Sequence, residues 1–466
     1  MGLVLSGVVA CKHGHETPQP ATPAPVAENG ERHEQPEFAV TLTRDGESWI
    51  AHYEFADPQT ALLFDTMHGA YRTSHWQPLD AGVELVNLDG IDGMFFSQPR
   101  REVRLAIRPP NPTEAVPGTR PFLRFSDGSE AFYTGQLALL TVESRAVAEA
   151  LHGDLRQWKG RQPPVEVTFT GDGPVVTDRR ETPETVTVTA QLGAGPYVYP
   201  GPIPAIHTEA AVLVLDPGLP AWLRDRLPAD LAAIDGALER RWQVDVPDAV
   251  DLLAWEGPGD DWHNVGRAEG SQITTSILGS RYLEPDTEAV TDLLWFFAHE
   301  RAHHFQLAAE VPIEEWVLEG GADAMATLVL ADLEVLDARA IRRRYERVEH
   351  ACVGQLGRGP LAGSRGPGTP ACGDLLTLAT AQALPDHDLF RFWRDLLGEA
   401  SGQGARVDTS FYVYFLRREG VAEPLADAIE RFATEAHADP EAATAGLLDA
   451  VGLRPDIVLP PPPPPA

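Results

Sequence analysis

The chain has 466 residues, enough for two cores rather than one, and its composition of 43% hydrophobic, 8% aromatic and 23% charged residues is that of a folded globular protein. Its formal charge is −32, and its positive charge is almost all arginine, with lysine only at Lys12 and Lys159. So acidic a surface repels phosphate backbones and anionic head groups, which excludes nucleic acid as a partner and leaves a well-solvated exterior.

Residues 1–11 are expected to be a lipoprotein signal segment: a short apolar run, Leu3 to Ala10, ends at Cys11, and Val8-Val9-Ala10-Cys11 resembles a bacterial lipobox. The resemblance implies a lipid on Cys11 as the chain's one tie to a membrane, and an extracytoplasmic lipoprotein of the cell envelope. Residues 12–36 are rich in Pro, Ala, Glu and Thr, cannot bury a core, and are expected to be a linker. The remaining cysteines, Cys352 and Cys372, flank a Gly/Pro-rich stretch and can pair in an oxidising compartment. No later window is long and apolar enough to span a membrane.

From 37 to 207 the sequence alternates with period two. Phe38, Val40 and Leu42 share one face, as do Trp49, Ala51, Tyr53 and Phe55. Val103, Leu105 and Ile107 repeat the pattern, followed by Val165, Val167 and Phe169, then Val186, Val188 and Ala190. Half-buried strands read this way, with Gly, Pro and Asp clusters as turns between them. The expectation is an N-terminal all-β, sandwich-like domain with one helix over 144–158. No cluster of chemically suggestive residues falls in it, so it supplies packing and substrate-flanking surface rather than catalysis.

From 208 the pattern changes. A short apolar strand over 212–215 precedes a helix marked by Leu231, Ile234, Leu238 and Trp242, and a second strand covers 250–255. Helices then follow over 287–309, 313–333, 338–353, 375–383, 388–397 and 411–418, with two more before 451. A small sheet followed by a mainly helical bundle makes 208–455 an α+β domain. Residues 456–466 are a Pro-rich tail.

Chemistry concentrates in TEAVTDLLWFFAHERAHHFQLAA, residues 287–309, where Val290, Leu293, Leu294 and Phe297 form a core-facing stripe. His299 and His303 lie four apart, so both imidazoles leave one helix face a turn from each other, a spacing that suits zinc. Glu300 stands beside the first histidine and can take a proton from a zinc-activated water without being a ligand. His304 points to another face and is expected to be structural or solvent-exposed.

A catalytic zinc needs a third protein ligand and an open position. Sixteen positions after His303 comes Glu319, in WVLEGGADA on the next apolar helix, and a short turn at Val311-Pro312 folds that helix back on the first. Asp323, four further on, faces the same way and can accept the second N–H of a zinc-bound histidine. Gly320 and Gly321 let the helices approach closely. One zinc ion on His299, His303 and Glu319 is the expectation.

HERAH followed by WVLEGGADA resembles the gluzincin metallopeptidases, the group that holds thermolysin, aminopeptidase N and the glycyl aminopeptidases. The resemblance implies a thermolysin-like catalytic domain, a peptide or protein substrate, Glu319 as third ligand and Asp323 behind the histidines. Gly266-Arg267-Ala268-Glu269-Gly270 is similar to a degenerate form of the aminopeptidase strand that pairs with substrate; there Glu269 would receive the substrate's free amine and Gly266 would line the strand. The oxyanion tyrosine of those enzymes precedes a late aromatic helix, here SFYVYFLRREG; Arg406 stands upstream of it, with Tyr412 and Tyr414 within it. The expected function is zinc-dependent peptide hydrolysis, as an aminopeptidase or an endopeptidase, against the alternative of a non-catalytic zinc-containing envelope lipoprotein.

Overall fold

A computed structural model describes residues 36–453 apart from 66–68, 112–113, 115, 117, 172, 179–180, 210, 245–248, 261 and 367. Cys11, the linker up to residue 35 and the Pro-rich tail lie outside the described residues.

The alternating runs become strands with the expected faces inward. β1 (Phe38–Asp45) pairs antiparallel with β2 (Ser48–Leu63), and β2 with β5 (Ile91–Ile107). β3 (Trp76–Pro78) and β4 (Val83–Leu88) add to β5, and β8 (Leu140–Thr141) to the end of β2. On the other side β9 (Val165–Thr170) runs parallel to β1 and carries β12 (Thr185–Ala190). A second sheet of β6 (Phe122–Arg124), β7 (Glu130–Tyr133) and β13 (Tyr197–Val198) lies on the first, and β10 (Val175–Val176) pairs with β11 (Glu181–Thr182).

Two short helices interrupt this part, α1 (Tyr71–His75) and α2 (Arg145–Glu149). The single helix expected over 144–158 is not formed. The chain leaves α2 after one turn and takes left-handed angles at His152 and Gly153, which an α-helix does not tolerate, before a 3-10 turn at Leu155–Gln157.

A third sheet has the order β14 (Ile206–His207), β15 (Ala211–Leu215), β16 (Ala249–Gly257), β18 (Gln272–Leu278), β17 (His263–Glu269). β15, β16 and β18 are parallel, α3 (Ala221–Trp242) crosses from β15 to β16, and β17 is an antiparallel edge. Strand alternation serves two cores. Val214, Val250, Leu252 and Ala254 meet Leu123, Tyr133 and Tyr197 of the three-stranded sheet. Leu213, Leu215, Leu253 and Ile277 turn the other way, into the helices.

Those helices are α4 (Thr287–Leu307), α5 (Glu315–Asp332), α6 (Ala338–Leu356), α7 (Thr369–Ala383), α8 (Leu389–Gln403), α9 (Thr409–Arg418), α10 (Glu423–Thr434) and α11 (Pro440–Ala450). The fold is mixed α+β, with eleven α-helices among the described residues. Aspartates cap α4, α6, α8, α9 and α11, each accepting a backbone N–H of the first turn. Cys352 and Cys372 form a disulfide joining α6 to α7. No helix among the described residues is long and apolar enough to cross a membrane.

Candidate metal centre

The turn between α4 and α5 brings His299, His303 and Glu319 together, with ligand-capable atoms all within 4.8 Å of one another. They are 5%, 0% and 2% exposed, so their lone pairs have little water to turn to. His299 Nδ1 lies 2.7 Å from Asp323 Oδ1, and His303 Nδ1 lies 2.8 Å from Gln306 Oε1. The Gln306 amide is fixed in that sense, because its Nε2 donates to Leu318 O at 2.9 Å. Both imidazoles therefore donate from Nδ1 and turn Nε2 toward each other and toward Glu319.

Those two nitrogens sit 3.1 Å apart, with Glu319 Oε2 at 3.3 Å from one and 3.7 Å from the other. Two imidazole nitrogens and one carboxylate oxygen thus converge on one point. A buried set of that kind is well placed around a cation, and two nitrogens with one oxygen suit zinc. Burial alone would raise the Glu319 carboxyl, but His303 and His299 outweigh it and hold it well below the usual carboxylate range. The donor set of two nitrogens and one oxygen fits a zinc site with three protein ligands.

Glu300 is buried beside the first histidine, as its place in the motif requires. Arg301 is buried too, between Asp235 of α3 at 2.9 Å and Asp251 of β16 at 2.5 Å, and so ties the histidine-bearing helix to the helix and strand beneath it. His304 is buried rather than exposed; burial first, then the charges of Arg301 and His303, push its ring down to about 3, so it is neutral.

The other expected site residues have partners of their own. Gly266, on the edge strand β17, is pressed against Phe296 of α4, where a Cβ would overlap the ring. Glu269, at the end of that strand, pairs with Arg267 at 3.1 Å and accepts the Gly195 N–H. Tyr412 is buried in the helical core. Its ring packs between Trp316 and Phe392 and its hydroxyl donates to Thr380 Oγ1 at 2.9 Å, because the aromatic face of α9 is used for the core. Arg406 is exposed in the segment before α9, and Tyr414 is half exposed.

Several residues around the centre carry no motif signal. Trp295 packs on the His299 ring at 5.5 Å. Arg344 reaches in from α6 to Asp323 and Asp374. Glu315, one turn before Glu319, is pushed up to about 7 by burial and by the Glu319 charge. Glu314 accepts Thr409 N at 2.7 Å and the Gly363 N–H, locking the start of α5 to α9. Gln306 was within reach of sequence reasoning, since it lies three residues after His303 on the same helix face, and so were Trp295 and Glu315, each four before a candidate ligand.

No family profile and no curated protein sequence matches this chain. Among solved structures it is similar to an aminopeptidase N family protein from Idiomarina loihiensis, at TM-score 0.58 and 13% identity, over 86% of this chain and 76% of that one. It is also similar to an M1 zinc metallopeptidase from Deinococcus radiodurans, at TM-score 0.45 and 16% identity, over 86% and 93%. A mutant of the latter bound to a Tyr-Ser-Ala substrate matches at TM-score 0.42 and 16% identity, over 92% and 96%. The fold of this chain is thus the fold of an aminopeptidase N family structure.

Proposed function

We propose that this chain is a zinc-dependent peptidase whose one metal ion is held by His299, His303 and Glu319. The carrying observation is the convergence of two Nε2 atoms and one carboxylate oxygen in a buried site. Zinc bound there would polarise a peptide carbonyl and lower the pKa of a water it held. Asp323 and Gln306 hold the imidazoles by Nδ1, which orients both Nε2 atoms toward the place a metal would take. Glu300 takes a proton from the attacking water and passes it to the departing amine, so one carboxylate serves as base and then as acid.

The aminopeptidase version asks Glu269 to bind a free amino terminus. Its carboxylate already holds Arg267 and the Gly195 N–H, and an incoming amine would have to displace a guanidinium. That contact favours the endopeptidase version. We also place the chain outside the cytoplasm, a reading supported by the Cys352–Cys372 disulfide.

The test is mass-spectrometric profiling of a peptide library with free and acetylated amino termini, with and without a chelator, for the wild type and Glu300→Gln. Chelation is expected to abolish cleavage, and Glu300→Gln to bind zinc but cleave about 10²–10⁴-fold more slowly. Acetylated peptides should be cut as well as free ones; loss of cleavage on acetylation would restore the aminopeptidase version. Zinc bound with no cleavage of any peptide would replace the enzyme with a scaffold.

A further inference from the structure

Behind His299 a second layer of side chains converges on one guanidinium. Arg344, from α6, stacks its guanidinium over the Trp295 ring with Cζ 3.8 Å from the centroid. Its Nε donates to Thr327 Oγ1 at 3.1 Å, and its NH2 lies 3.1 Å from Asp374 Oδ2 and 3.8 Å from Asp323 Oδ2. Thr327 also accepts the Trp295 indole N–H at 3.3 Å. Two of these partners, Asp323 and Trp295, touch the same imidazole. Asp323 Oδ1 accepts its Nδ1 proton, and Trp295 packs on its face.

We propose that Arg344 is a positioning residue for the metal centre, fixing the His299 ring through Asp323 on one side and Trp295 on the other. The inference rests on the zinc reading above. Two buried carboxylates, Asp323 and Asp374, face this one cation. Without it they repel each other, and Asp323 has a reason to turn away from the imidazole. A lysine could not do the same work, since only a planar guanidinium can lie flat on an indole while donating sideways to a hydroxyl and two carboxylates. Asp374 itself is braced by the Tyr345 hydroxyl at 3.0 Å and sits two residues from Cys372, where the disulfide clamps α7 to the helix that carries Arg344.

The experiment measures zinc affinity by competition with a chromophoric chelator, together with the visible spectrum of the cobalt-loaded protein. Arg344→Met is expected to bind zinc about 10–100-fold more weakly and to shift the cobalt bands, because the ligand ring is no longer held. Arg344→Lys should recover only part of that loss. Arg241→Met breaks another largely buried pair, with Asp332 at 2.6 Å, that has no contact with Asp323; it should lower stability yet keep wild-type zinc affinity. Arg344→Met binding zinc within about threefold of wild type would overturn the proposal. Should that variant not fold, Arg344→Lys decides, and wild-type affinity and cobalt spectrum in it count against the proposal. Failure of the zinc reading looks different, since the wild type would then bind no zinc at one equivalent and His299→Ala would change nothing.

Discussion

Gly320 and Gly373 face each other where α5 crosses α7, and the crossing leaves no room for a methyl group. A Cβ on Gly320 would fall inside the Gly373 backbone, and one on Gly373 would meet the Trp316 carbonyl. Two effects oppose in Gly320→Ala. Helix propensity favours alanine by about 1 kcal/mol, while overpacking costs about 1–3 kcal/mol, and here the obstacle is backbone rather than a flexible side chain. Overpacking should win, so urea unfolding should show a lower midpoint at unchanged slope; a midpoint at or above wild type would refute this. Because Glu319 is the adjacent residue, zinc affinity should fall as well. The glycine pair was legible as a sign of close approach, but not the partners, since Gly320 serves α7 while Gly321 meets Gln306 of α4 and Trp393 of α8. His299, His303, Glu319 and Asp323 could be read because helical periodicity alone puts each pair on one face. Arg344 and Asp374 could not, because only tertiary packing brings α6 and α7 to Asp323. The setting of Tyr412 could not be read either, because an aromatic run looks alike whether it fills a core or faces a cleft.

At the scale of elements, α4 is the piece whose placement matters most, and a buried charge cluster sets it. Arg301 lies between Asp235 of α3 and Asp251 of β16, so helix, helix and sheet share one cation. Burial pushes the Asp235 carboxyl from 3.8 up to about 7, against the pull of Arg301. Its folded pKa therefore lies above its unfolded one, the folded protein holds the extra proton, and this group's contribution is present below about pH 4 and lost as pH rises toward about 7. The slope amounts to at most one proton, about 1.4 kcal/mol per pH unit. Asp235→Asn removes the titrating group, so unfolding free energies of wild type and variant should draw apart or together across that window. A constant difference from about pH 4 to about pH 7 would show that Asp235 does not titrate there. Nothing in the sequence announces this cluster, since Arg301 occupies a variable place in the motif and its partners lie 66 and 50 positions earlier. Helix bounds were legible in their middles and missed at their ends. α7 begins at Thr369 because Pro370 fits a first turn, and α8 runs on to Gln403, where Gly404 closes it in the left-handed conformation.

The whole molecule is organised by a sheet that belongs to two cores at once. Reading the chain as two domains meeting at 208 follows the change of pattern there, from period two to period 3.6. Side chains, however, pack straight across that point. Val214, Val250, Leu252 and Ala254 on one face of the five-stranded sheet are covered by Leu123, Tyr133 and Tyr197 from the strand-rich part. Polar bonds follow the same seam. Gln272 exchanges two hydrogen bonds with the Tyr197 backbone at 2.7 and 2.9 Å, Asp216 accepts Ser126 N at 2.8 Å, and Arg120 reaches Ser276 at 2.8 Å. Alternation along a single strand shows that one face is apolar, and continuous apolar runs such as 252–255 show that both are, but neither says which neighbour covers which face. With both faces buried, the sheet cannot keep its structure once either partner is lost. The chain is therefore expected to unfold in one transition by calorimetry, with a calorimetric to van't Hoff enthalpy ratio near 1. A fragment beginning at residue 208 should aggregate, because its sheet would expose an apolar face to water. Two resolved transitions, or a soluble fragment from 208 that binds zinc like the full chain, would mean that the seam is a contact between independent domains and that the metal centre needs nothing from the strands before it.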